Sequence, residues 1–275
     1  MPDATPLGHY IDLTASDGGI VRSYVVRPTS APRALLVVLQ HMDQRMPGWE
    51  GAANRPPALA DTRPGVNPHV RQMAEAFAAQ GYLAIAPSTF SRGRSGTHYG
   101  YRFEQGRWGQ RLIRPMEPLP STAIMLDIEA AIAHGRKLAP YAQIGVVGYC
   151  WGGLLAWEAA CSLGYLSAAV CHYGGGMESP AQRERQPLCP VLAHFPTDSR
   201  WMAPAGIEAF QAAHRSELAR ARAVEIRVHT GRYGFMQPQH TGYDAALALR
   251  VQAQTLGFLQ QHLVDGVSIA SGVRH

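Results

Sequence analysis

A chain of 275 residues with 46% hydrophobic residues and a formal net charge of +5 is long enough for a large buried core and ordinary for a globular protein. Its cations are arginines except for Lys137, and they are scattered, with only the stretch from Arg92 to Trp108 approaching a basic, aromatic-interleaved stripe. A nucleic-acid partner is therefore not expected. No apolar run approaches the ~20 residues that cross a bilayer, so no membrane partner is expected. Residues 1–9 lack a basic start followed by a hydrophobic stretch, and the four cysteines have neither framework nor metal-ligand spacing. A cytoplasmic location with reduced thiols, no metal and no cofactor is the expectation.

In chain order, two amphipathic strands are predicted near Tyr10–Leu13 and Val21–Val26, then a buried strand Ala34–Leu39. Asn67 caps a helix that has Pro68 in its first position and Val70, Met73, Ala74, Phe77 and Ala78 on its inner face. Gly81 closes that helix before a strand Tyr82–Ala86, and a helix over Ser121–Leu138 leads to the strand Ile144–Val147. A helix after Cys150, strands Ala168–His172 and Val191–His194, a helix near Gly206–Ala219, a strand Val224–His229 and a helix Tyr243–Leu263 complete the pattern. Strands alternating with helices imply an α/β fold with a doubly wound, mostly parallel sheet. No repeat or linker divides the chain, so one domain over 1–275 is expected. Two long aperiodic segments, 43–65 and 91–120, follow strand ends and read as a lid.

The most informative stretch is Gly148-Tyr149-Cys150-Trp151-Gly152-Gly153, between a β-branched strand and a helical pattern. Glycines two residues either side of Cys150 match a nucleophile elbow, a sharp turn that holds the central side chain in an unfavourable backbone conformation. A thiol there faces the first amides of the next helix, which favour a thiolate and an oxyanion beside it. The other reading of Cys150 is a small buried apolar residue, and that reading is applied to Cys161, Cys171 and Cys189.

The elbow resembles that of the dienelactone hydrolase family, the cysteine branch of the α/β-hydrolases. Gln40 at a strand end, the turn Gly65-Val66-Asn67, Gly81-Tyr82 leading to Ala86-Pro87, Arg92, and Gly234-Phe235 before Gly242-Tyr243 extend the resemblance along most of the chain. It implies an α/β-hydrolase fold in which Cys150 attacks a lactone or ester carbonyl. The amides of Trp151 and Met42 are the implied oxyanion donors, Asp198 the orienting acid and Arg92 the grip on a substrate carboxylate.

Three positions depart from the family's pattern. Tyr233 stands where the family has its catalytic histidine, His41 where it has a glutamate, and Gln237 where it has a second substrate-binding arginine. A tyrosine with a pKa near ~10 is a poor base at neutral pH. His41 is then either a loop histidine bonded to a carbonyl or a relocated base. His229 and His240 flank the lost position as further candidates, and Glu50 in the insertion is another group within possible reach.

Three functions are consistent with these residues. One is a cysteine-dependent hydrolase of a small carboxylate-bearing lactone, ester or thioester. The second is a non-hydrolytic enzyme (isomerase, lyase, cyclase or acyl transfer) that uses Cys150 and Tyr233. The third is a pseudoenzyme that only binds a ligand, which the intact elbow argues against. The expected partner is a small anionic molecule, and the expected assembly a monomer or homodimer.

Overall fold

The computed structural model describes residues 6–41, 66–89, 121–215 and 224–265. An eight-stranded sheet runs through them in the order β1-β2-β4-β3-β5-β6-β7-β8. Its strands are β1 (His9–Thr14), β2 (Ile20–Val26), β3 (Ala34–Leu39), β4 (Tyr82–Pro87), β5 (Ile144–Tyr149), β6 (Ala168–His172), β7 (Val191–Asp198) and β8 (Val224–Arg232). Only β2 pairs antiparallel to its neighbours, while β4, β3 and β5 to β8 are mutually parallel. Every residue of β3, β4, β5 and β6 is buried. That explains their continuous apolar sequence, because helices cover both faces of a parallel sheet.

The helices are α1 (Pro68–Ala79), α2 (Ser121–Leu138), α3 (Trp151–Ser162), the short α4 (Pro180–Arg183), α5 (Pro204–Ala213) and α6 (Ala245–Gln260). At α1 the Asn67 side chain accepts from the Val70 amide at 3.0 Å, with Pro68 in the first turn. Buried Val70, Ala74, Phe77 and Ala78 confirm the inner face, joined by His69, while Met73 is half-buried. Asp244 caps α6 in the same way, through the Leu247 amide at 2.9 Å.

Several boundaries differ from expectation. β7 continues past His194 to Asp198 and β8 past His229 to Arg232, because the two pair beyond a bulge between Pro196 and Asp198. Asp198 is thus the last residue of a strand. The helix expected near Gly206–Ala219 starts earlier, at Pro204, and stops at Ala213. The four-residue α4 is too short to leave a periodic signal. Insertions 43–65 and 91–120, the expected lid, lie outside the described residues. Among the described residues, no helix is long and apolar enough to cross a membrane.

A row of polar rings crosses the carboxyl end of the sheet. Tyr149 and His172 stack at 4.7 Å, His172 and His194 at 5.0 Å, and His194 Nδ1 lies 2.9 Å from His229 Nε2. Pairing in register places them side by side, since Tyr149 opposes His172 and His172 opposes His194. His69 extends the row from α1, its ring 5.0 Å from that of Tyr149. Burial disfavours the imidazolium, and it pushes His69 down to about 4 and His172 to about 3.

These shifts set a direction for stability against pH. An unfolded imidazole takes its proton near pH 6.5, before the buried one can, so stability is full above that pH and falls as the pH drops towards 4 and 3. Each group costs about 1.4 kcal/mol per pH unit in that window. Urea unfolding at pH 7.5 and pH 5 should differ by about 4 kcal/mol from these two residues together. His172→Phe, which keeps a stacking ring and removes the titration, should flatten the dependence. Equal stability at both pH values in the unsubstituted protein would contradict the buried, neutral row.

Candidate active site

Cys150 follows β5 and is the N-cap of α3, with φ 57° and ψ −120°. This is a conformation that a residue with a side chain adopts only when its surroundings hold it there. The Cys150 amide donates to His172 O at 2.9 Å, and the Gly153 amide returns to Cys150 O at 2.8 Å. A Cβ at Gly148 would strike the Gly152 carbonyl, and one at Gly152 would strike the Leu39 carbonyl. The glycine spacing in the sequence therefore has a steric cause on both sides. The Cys150 residue itself is 4% exposed, and half-buried Trp151 follows it as the first residue of α3.

Tyr233 lies just past β8, and its hydroxyl is in hydrogen-bonding contact with the Cys150 sulfur. Burial, then the neighbouring thiol, pushes this phenol well above its usual range, so it stays protonated and acts as a donor. Its amide donates to Asp198 O at 2.8 Å, which fixes the chain as it leaves the sheet. The Asp198 carboxylate points elsewhere. It is 72% exposed and sits 3.8 Å from Arg232 Nε.

His41 follows β3 and is buried at 3% exposure. Its Nδ1 is 3.4 Å from Asn67 Nδ2 and its ring 5.6 Å from His69. Burial, reinforced by His69 and His240, holds its pKa well below the usual value, so the ring is neutral at pH 7. Asn67 thus caps α1 and also reaches the loop after β3, where its amide donates to Gln40 Oε1 at 3.1 Å. Of the flanking histidines, His229 belongs to the ring row below the site, while His240 approaches Tyr233 with ring centroids 5.9 Å apart. Gln237 is buried at 1% exposure. Met42, Glu50 and Arg92 lie outside the described residues.

Tyr173 escaped the sequence reading. It follows β6 as Cys150 follows β5, at φ 39°, with its amide on His194 O at 2.7 Å and its ring 5.1 Å from that of Tyr233. The signal available was its position between an apolar strand and the run Gly174-Gly175-Gly176. The row formed by His69, His172 and His194 was also missed, since a single histidine at a strand end or in the first turn of a helix carries no periodicity.

A strained residue at the β5–α3 turn, bracketed by glycines at the carboxyl end of a mostly parallel eight-stranded sheet, defines the α/β-hydrolase fold. Residues 60–263 match the dienelactone hydrolase family, and the chain belongs to it. Carboxymethylenebutenolidase of Pseudomonas putida is 27% identical over 258 residues, covering 90% of this chain and 94% of its own. Carboxymethylenebutenolidase 1 of Cupriavidus pinatubonensis is 21% identical over 257 residues, with 90% and 95% covered. Two solved structures share the fold. One is a dienelactone hydrolase candidate from Klebsiella pneumoniae subsp. pneumoniae, with TM-score 0.69, 19% identity, and 94% of this chain and 100% of that one covered. The other is a dienelactone hydrolase-like promiscuous phosphotriesterase from metagenomic libraries, with TM-score 0.61, 15% identity and the same coverage.

The thiols differ in a way that alkylation can read. Burial pushes Cys161 and Cys189 up to about 12 and Cys171 well above its usual value, leaving almost no thiolate at pH 7. Cys150 alone stands at the start of a long helix beside a phenol donor. Brief iodoacetamide treatment at pH 7 followed by peptide mapping should find the label on Cys150 first. Labelling of half-buried Cys161 ahead of it would show that the elbow does not activate the thiol.

Proposed function

We propose that this chain is a cysteine-dependent hydrolase of a small lactone, ester or thioester bearing a carboxylate, with a triad altered at Tyr233. The observation that carries the reading is the Tyr233 hydroxyl at the sulfur of a strained Cys150. A phenol that donates to sulfur stabilises a thiolate, a task ordinarily shared with an imidazolium. In this reading the thiolate attacks the carbonyl carbon, and the amides of Trp151 and Met42 receive the oxyanion. The carbon–oxygen bond then breaks, and the leaving oxygen takes its proton from Tyr233. In the second half, neutral His41 accepts a proton from the attacking water, the carbon–sulfur bond of the thioester breaks to release the thiolate and the acid, and the proton on His41 returns to the Tyr233 phenolate. Arg92 holds the substrate carboxylate with a planar, two-pronged donor. Asp198 positions Tyr233 through its main-chain oxygen, while its carboxylate is exposed beside Arg232.

The same observation supports a second reading. Phenol chemistry at the thiol suits an enzyme that passes the acyl group to an acceptor other than water, or that isomerises, cyclises or cleaves its substrate.

Tyr233 substitutions separate the two. Cys150→Ala should abolish turnover under either reading. For a hydrolase, Tyr233→Phe should slow hydrolysis of 4-nitrophenyl acetate about tenfold or more, and His41→Ala should slow release of the acyl group more than its formation. Tyr233→His should raise that hydrolysis above the unsubstituted protein under the second reading. A Tyr233→Phe variant with undiminished burst and steady-state rates would remove Tyr233 from the mechanism.

A further inference from the structure

Among the described residues β8 closes one side of the sheet, paired to β7 with no strand beyond it. The central strands β3 to β6 are buried throughout, whereas in β8 only His229 is buried. An edge strand offers its outward amides and carbonyls to another strand, and proteins commonly blunt such edges with lysine, proline or short length. β8 has nine residues and contains neither lysine nor proline. Its pairing with β7 is regular through Val228, the bulge coming later, between Pro196 and Asp198.

Alternation sorts these residues onto two faces. Val224, Ile226 and Val228 share one face, and Val228 is 41% exposed. Glu225 and Arg227 share the other, where Arg227 Nε donates to Glu225 Oε1 at 2.6 Å. Their side chains are 44% and 37% exposed. A carboxylate with about four acceptor sites and a guanidinium with about five donors both keep capacity for a second partner there.

A second copy of β8 can continue the sheet antiparallel, about a two-fold axis normal to it. The axis preserves the faces, so opposed residues must come from the same face and one residue lies on the axis. With Ile226 on the axis, Glu225 opposes Arg227 of the partner subunit, and Arg227 opposes the partner's Glu225. Val224 and Val228 pair across the seam on the other face, a favourable match of β-branched side chains. Moving the axis to Glu225 or to Arg227 sets like charges opposite each other, which is destabilising. The other edge strand, β1, carries Asp12 without a lysine or arginine, so no register makes it complementary to itself in this way.

We propose that β8 is the interface of a homodimer, in which it pairs antiparallel with β8 of a second copy about Ile226, the charges of Glu225 and Arg227 alternating across the seam. Such an interface is isologous and closes at two copies. The paired strands run in opposite directions, so the carboxyl edges of the two subunits face opposite ways and each Cys150 stays within its own site.

Sedimentation velocity of the full chain over a series reaching about 200 µM should show a monomer–dimer equilibrium. Glu225→Arg and Arg227→Glu should each shift it to monomer, with circular dichroism unchanged. Mixing these two variants should restore a dimer containing one copy of each, because an all-positive strand then meets an all-negative one. Ile226→Cys should form a disulfide with its own counterpart in oxidised glutathione, as peptide mapping would show, since antiparallel partners on the axis lie within disulfide reach. Val228→Cys, which opposes Val224, should not. A monomer at every concentration, a dimer that survives both single substitutions, or a disulfide formed more readily by Val228→Cys than by Ile226→Cys would overturn the proposal.

Discussion

Two main-chain hydrogen bonds hold the site in place. The Cys150 amide reaches His172 O, and the Tyr173 amide reaches His194 O. Each continues the parallel ladder one residue beyond its strand, to a residue with positive φ. Conformations of this kind cost about 1–3 kcal/mol apiece and persist only where neighbours over-determine them. Here the over-determination comes from the buried centre of the sheet and from close contact between Gly152 and the end of β3. Without that contact the thiol would relax away from Tyr233.

The polar rings beneath this ladder share its origin. Stacking of Tyr149, His172 and His194 needs the strands in register, and the hydrogen bond from His194 to His229 needs one of the two rings to donate. Ordinary cores place aliphatic groups at such positions. Rings in contact fill the same volume while fixing orientation more narrowly, at the expense of tolerance to acid.

The sheet was legible because its central strands are buried on both faces and so appear as unbroken apolar runs, and because Asn67, Pro68 and Gly81 punctuate α1. The elbow was legible for a different reason: close backbone approach leaves glycine as the only option at two fixed distances from Cys150. Less could be read where side chains meet across distant loops. The lengths of β7 and β8 depend on mutual pairing that neither segment reveals alone. The sequence placed Asp198 near a strand end, yet the partner of its carboxylate, Arg232, depends on the bulge between β7 and β8. Likewise His240 lies seven positions after Tyr233 and meets it only because the loop turns back at Gly234.

The residues of the sheet's carboxyl edge arrive from separate strand ends: His41 after β3, Cys150 after β5, Tyr173 after β6, Asp198 at the end of β7 and Tyr233 after β8. Cys150, Tyr173 and Tyr233 are held by main-chain hydrogen bonds to His172 O, His194 O and Asp198 O, so exchanging one of their side chains leaves these bonds intact. Such a sheet edge behaves as a set of independent sockets. A side chain in one socket can change while the main chain that presents the others keeps its hydrogen bonds. Chemical novelty on this scaffold is therefore limited by what the sockets can do together, and much less by whether the chain still folds.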